Sequence, residues 1–250
     1  MSPRYSTYVA LGDSFTEGVG DHDESRPNGV RGWADRVAEA LAGDSPDFRY
    51  ANLAIRGRKL PAILAEQIEP AVAMGPDLVS IYAGANDILR PRVDIDALME
   101  RYDEAIGRLA GTGATVVTFT AFDTVASPGF RSLRGRFATY SELAREIAER
   151  HGAVLVDYWR LREFRNWAYW DDDRMHMSSY GHQLMAVEVL DALGVEHDLK
   201  RPELEPAEPP SLREHLDWAA RHVRPWVARR LTGRSSGDSV TAKRPEPGPV

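Results

Sequence analysis

Short apolar runs recur along the chain, each followed by a longer segment whose apolar positions lie three and four residues apart. Tyr8-Val-Ala-Leu has a strand pattern and runs into a turn at Gly12-Asp13-Ser14. From Gly32 onward, Trp33, Val37, Ala40 and Leu41 recur at helical spacing. Phe48 to Ala54 reads as a second strand, and Leu60 to Met74 as a helix that accepts Pro61 in its first turn. Asp77 to Tyr82 is a third strand, apolar enough to be covered on both faces. Ile95 to Ala110 places Leu98, Tyr102, Ile106 and Leu109 on one helical face. Ala114 to Thr120, rich in β-branched residues, predicts a fourth strand. Leu133 to Arg150 predicts a helix stopped by His151-Gly152. Ala153 to Asp157 and Ser178 to Leu193 predict a fifth strand and a final helix. Repeated strand–helix alternation implies an α/β fold, with a parallel sheet of about five strands layered by helices.

The pattern changes after Leu199, so residues 1–199 are read as one domain. Residues 200–232 read as a Pro-containing linker followed by an amphipathic helix from about Ser211 to Leu231, which Pro225 should kink or divide. Residues 233–250, made of Gly, Ser, Pro and charge, read as a disordered tail. The role of this C-terminal region is open at this stage: it could cover a site, mediate dimerisation, or do neither. The oligomeric state is likewise open.

Composition narrows the function classes. Hydrophobic residues make up 43% and charged residues 28% of the 250, ordinary for a globular protein. Cysteine is absent, which removes disulfides, thiol nucleophiles and thiolate metal sites. The net charge of −7 is uneven. Residues 221–250 hold seven Lys or Arg against two Asp or Glu, a balance of +5, which leaves −12 on the other 220 residues. An acidic body argues against a nucleic-acid partner. No segment approaches the roughly 18 to 20 apolar residues of an integral membrane span. The first residues lack an apolar run of signal-peptide length, so a cytoplasmic location is expected.

Ligands of a parallel sheet gather beyond the carboxyl ends of its strands, and four polar clusters fall there. Ser14, in Gly12-Asp-Ser-Phe-Thr-Glu-Gly18, follows the first strand; it could be a nucleophile with backbone donors nearby, or simply a helix cap. Gly57 follows the second strand, where a backbone N–H could approach a ligand or merely make a turn. Asn86, in Gly84-Ala-Asn-Asp, follows the third and offers an amide, or a cap. Asp173-Arg-Met-His176 follows the fifth; an aspartate three residues ahead of a histidine can accept its Nδ1–H and fix the tautomer. The aspartate run 171–173 is also readable as a solvated loop. His182 falls inside a helix and reads as a packing or capping residue. Trp167, Tyr169 and Trp170 could form an acyl or sugar subsite, or could be core.

Taken in order, these blocks resemble the SGNH hydrolases, the GDSL-type esterase/lipase family. Ser14 in Gly-Asp-Ser-Phe matches the nucleophile block, Gly57 the glycine block, Asn86 the asparagine block, and Asp173 with His176 the terminal Asp-x-x-His block. The resemblance covers roughly residues 5 to 195. The last block departs from the usual pattern in placing bulky Met175 and Met177 beside His176, with its spacing intact. The resemblance implies a flavodoxin-like three-layer α/β/α sandwich, no metal or organic cofactor, and a small-molecule ester as substrate. It further implies catalysis by Ser14, His176 and Asp173, with an oxyanion site made by Ser14, Gly57 and Asn86. An O-acyltransferase or carbohydrate O-deacetylase would use the same residues, and a non-catalytic flavodoxin-like binding module is the reading from another class.

Overall fold

A computed structural model describes residues 5–43, 45–127, 129–207, 213, 217–223 and 236–250. Among them, six strands form one sheet: β1 (Thr7–Gly12), β2 (Arg49–Asn52), β3 (Leu78–Tyr82), β4 (Thr115–Phe119), β5 (Val154–Val156) and β6 (Arg244–Gly248). Their spatial order is β5-β4-β3-β1-β2-β6. The first five are parallel, in the order of a flavodoxin-like doubly wound sheet.

Helices α1 (Ser14–Glu17), α2 (Gly32–Ala42), α3 (Leu60–Ala73), α4 (Ala85–Ile88), α5 (Ile95–Ala110), α6 (Arg134–His151) and α7 (Ser179–Ala192) follow the strands. Helix α2 packs against α7, while α3 packs on α5 and α5 on α6, which gives a helical layer on each face of the sheet. Central strands are therefore dry on both sides. Tyr8, Val9, Ala10 and Leu11 of β1 are all fully buried, as their continuous apolar run requires. On α5 the stripe Leu98, Tyr102, Ile106 and Leu109 is buried, and the Asp94 side chain caps the helix by accepting from the Ala97 N–H at 3.1 Å. Gly152 ends α6 in the left-handed conformation, at φ 64°.

The C-terminal region differs from its sequence reading. Most of the helix expected over 211–231 lies outside the described residues, apart from a helical turn at 219–223. The tail read as disordered instead supplies β6, antiparallel to β2 on the sheet edge. Two physical reasons account for this. Strand pairing needs only backbone groups, and an edge strand accommodates Pro245 and Pro247, which have no N–H to offer a ladder. The tail also buries a charge: Lys243 Nζ, fully enclosed, donates to Asp35 Oδ2 at 2.9 Å and to the carbonyl of Arg31 at 2.5 Å. Breaking a buried pair by removing one partner strands the other charge. Lys243→Met should therefore lower the unfolding free energy by about 3 kcal/mol, near the lower end for such pairs, because the edge strand can lift and admit water to Asp35. Urea denaturation of the variant and wild type measures it.

Candidate active site

The carboxyl end of β1 is pinned before it turns. Gln67, buried on α3, accepts from the Gly12 N–H at 2.8 Å and donates to the Gly12 carbonyl at 2.9 Å. Gly12 sits so close to β3 that a Cβ there would meet the Tyr82 carbonyl oxygen at 2.6 Å. Asp13 then caps α1, accepting from the Phe15 N–H at 3.1 Å. Phe15 anchors the turn in an aromatic nest, with ring centroids 4.7 Å from Tyr82, 5.4 Å from Phe119 and 5.5 Å from Trp33. Ser14 is thereby held at the start of a helical turn.

Four loops converge there. Ser14, Gly57, Asn86, Asp173 and His176 all line one cavity of about 590 Å³. Among the described residues, neither the Ser14 N–H nor the Gly57 N–H has a protein acceptor. Two uncommitted N–H groups at one cavity are suited to an anionic oxygen. Asn86 Nδ2 is placed with them but is engaged, donating to Asp13 Oδ2 at 2.8 Å and to the Arg58 carbonyl at 3.0 Å. To meet an incoming oxygen it would have to exchange one of these acceptors.

The loop of residues 173–176 is built around one carboxylate. Asp173 Oδ1 accepts from the N–H groups of Met175 at 2.8 Å and His176 at 2.9 Å, while Oδ2 meets His176 Nδ1 at 2.5 Å. Burial alone would raise the Asp173 carboxyl, but the hydrogen bonds and charge of His176 outweigh it and hold it well below the usual carboxylate range. For His176, burial works to lower the imidazole pKa; the Asp173 hydrogen bond and the charges of Asp173, Asp13 and Asp171 win, and it stands above its ordinary value. Asp172 is exposed and takes no part in this pairing. Ser14 and His176 share the cavity without a direct hydrogen bond, a contact that unliganded enzymes often tighten only around substrate.

The aromatic candidates separate. Trp170 lines the cavity. Tyr169 is core, with its hydroxyl donating to the Pro202 carbonyl at 2.7 Å, and Trp167 instead faces the Arg174 guanidinium at 5.6 Å. The wall that joins Trp170 comes from residues the sequence did not single out: Phe122 at 5.1 Å from Trp170, Phe137 and Tyr158. Their signal was position, since Phe122 and Tyr158 follow the carboxyl ends of β4 and β5. His182 is buried as expected of a packing residue, accepting from the Trp33 N–H at 3.1 Å, with Nε2 3.1 Å from the Val19 carbonyl; burial pushes it down to about 4, so it stays neutral.

Two supports also went unread. Asp13 is buried, and burial pushes its carboxyl up to about 7 despite the Phe15 N–H bond. Glu17, fully buried at the end of α1, accepts from the Arg56 N–H at 2.6 Å and from the Arg56 guanidinium, and so ties the Gly57 loop to the Ser14 turn.

The sequence profile of the GDSL-like Lipase/Acylhydrolase family matches residues 10–184, which contain all of these groups. The chain belongs to that family. Over 81 residues it is 38% identical to a lipase of Streptomyces rimosus, a match that spans 32% of this chain and 30% of that enzyme. In three dimensions it resembles an alpha/beta hydrolase from the metagenome of Lake Arreo, Spain, at 26% identity and a TM-score of 0.62, over 76% of this chain and 95% of that one. An acetylxylan esterase from Geobacillus stearothermophilus shares the fold at 21% identity and a TM-score of 0.62, with the same coverage. Forms of that esterase described as catalytic mutants carry a serine or a histidine replaced by alanine. Among the described residues, no helix of this GDSL-family chain is long and apolar enough to cross a membrane.

Proposed function

We propose that this chain cleaves carboxylic esters through a serine acyl-enzyme, with Ser14 as nucleophile, His176 as general base and Asp173 as the carboxylate that orients it. One observation carries the reading: Asp173 occupies His176 Nδ1 at 2.5 Å, which leaves Nε2 for the hydroxyl that lines the same cavity. His176 takes the Ser14 proton as Oγ attacks the carbonyl carbon. The oxyanion that forms is received by the N–H groups of Ser14 and Gly57 and by the Asn86 amide, each such donor contributing about 3 to 4 kcal/mol at the transition state. Protonated His176 returns its proton to the departing alcohol, and water then cleaves the acyl-enzyme with the same groups acting in reverse order.

The aromatic wall of Phe122, Tyr158 and Trp170 gives the apolar part of a substrate a dry surface, while Lys59 and Arg90 border the same cavity. Transfer of the acyl group to an alcohol, or removal of acetyl from a sugar, would proceed identically as far as the acyl-enzyme. Product analysis with alcohol and sugar acceptors separates these outcomes.

A fluorophosphonate probe tests the reading directly. Wild-type protein is expected to gain one covalent adduct, mapped to Ser14 by peptide mass spectrometry, with concurrent loss of p-nitrophenyl acetate hydrolysis. An adduct on another serine, with hydrolysis lost in step, would refute the assignment.

A further inference from the structure

The C-terminal segment lies outside the region shared with the family, yet its described residues contact the acid–base and oxyanion loops directly and reach the nucleophile turn through buried polar groups. At the acid–base loop, the Trp218 indole N–H donates to the Asp173 carbonyl at 3.1 Å. Its ring lies 5.0 Å from the Arg174 guanidinium, which Trp167 meets at 5.6 Å. Arg174 has φ 55°, a left-handed conformation unfavourable to a residue with a Cβ. The two rings hold that side chain, and with it the turn that presents the Met175 and His176 N–H groups to Asp173.

At the oxyanion loop, Gly237 approaches so closely that a Cβ on it would lie 2.0 Å from the Arg56 carbonyl oxygen, one residue before Gly57. At the nucleophile turn the contact is relayed through buried polar groups. Lys243 binds Asp35, Asp35 Oδ1 accepts from the Tyr50 hydroxyl at 2.9 Å, and Tyr50 accepts from Asn52 Nδ2 at 2.9 Å. The same Asn52 amide donates to the Thr16 carbonyl in α1 at 3.1 Å. A second relay runs through Asn28, whose Nδ2 donates to the Thr241 carbonyl at 2.9 Å and to Glu17 Oε1 at 3.1 Å. Arg221, His222 and Ser236 meanwhile line the active-site cavity.

We propose that the C-terminal segment is a positioning element of the catalytic site, bracing the acid–base loop and the oxyanion loop against the nucleophile turn. The inference rests on the ester-hydrolase reading above. The groups it braces come from loops far apart in the chain, and misplacement by about 1 Å costs on the order of 100-fold in rate. The segment therefore acts on catalysis through geometry, without touching the reacting atoms.

Two full-length variants test it without stranding a buried charge. Gly237→Val puts methyl groups where the Arg56 carbonyl stands, and Trp218→Phe keeps a ring but removes the donor to Asp173. For Gly237→Val, kcat on p-nitrophenyl acetate is expected to fall about tenfold or more, and for Trp218→Phe several-fold, with KM nearly unchanged. The acid limb of the pH–rate profile should move in Trp218→Phe and stay in place in Gly237→Val. Amide hydrogen exchange should accelerate at residues 173–176 in Trp218→Phe and at residues 55–58 in Gly237→Val, while β1, β3 and β4 stay protected. Wild-type kcat in both variants, or unchanged exchange at both loops, would overturn the proposal. Wild-type protein inert to ester and fluorophosphonate would instead sink the hydrolase reading, and the exchange comparison would still decide the bracing.

Discussion

Ser14→Ala is expected to lower kcat for p-nitrophenyl acetate by about 10⁵- to 10⁶-fold while the fold is kept. The size follows from the role proposed for the hydroxyl. Without Oγ no acyl-enzyme forms, and the reaction falls back on water attacking a carbonyl that the oxyanion donors still polarise, which leaves roughly 10³- to 10⁴-fold over the uncatalysed rate. Stability should barely change. Ser14 is half-buried, Asp13 rather than Ser14 caps α1, and Phe15 anchors the turn. KM should therefore move little and circular dichroism not at all, so the loss appears in kcat alone. His176→Ala should lose nearly as much, and the double variant no more than either single one, because the two groups act as a unit. Retained turnover in purified Ser14→Ala, with no contaminating esterase in a mock preparation, would dismiss Ser14 as nucleophile.

What could be read from the chain alone follows from the range of each interaction. The five parallel strands and the helices beside them are written in local periodicity, and Ile95–Ala110 matches its expected bounds because a stripe of four apolar residues lies within the segment and the Asp94 cap stands immediately before it. The convergence of Ser14, Gly57, Asn86, Asp173 and His176 on one cavity was legible because a parallel sheet gathers its strand ends at one edge. Pairings between distant residues were not legible. Nothing near Lys243 announces Asp35, and nothing near Asn86 announces Asp13, so the strand role of the tail and the prior engagement of the Asn86 amide emerge only in three dimensions. The same limit divided Trp167, Tyr169 and Trp170, three neighbours with three different fates. In short 3₁₀ turns, side-chain direction follows the backbone path and not composition.

Asp173→Asn should reduce kcat by about 10³- to 10⁴-fold and also change its pH dependence. The carboxylate has two functions in the proposed mechanism. Through Oδ2 it receives the Nδ1–H of His176 and keeps the proton off Nε2, and its charge favours the imidazolium formed during attack. Asparagine keeps the Oδ1 contacts to the Met175 and His176 N–H groups, so the loop should hold its shape. Its amide, however, donates where an acceptor is needed, which favours the wrong tautomer. The sign of the pH effect follows from the raised imidazole of wild-type His176. A base must be neutral to act, so wild-type kcat/KM should fall as pH drops through a midpoint above the ordinary histidine value of about 6.5. Removing the Asp173 charge leaves burial, the largest influence, opposed only by the weaker charges of Asp13 and Asp171, so the acid limb of Asp173→Asn should shift to lower pH even as its plateau collapses. A plateau that collapses without this shift would mean that Asp173 supports the loop but does not set the charge of the imidazole.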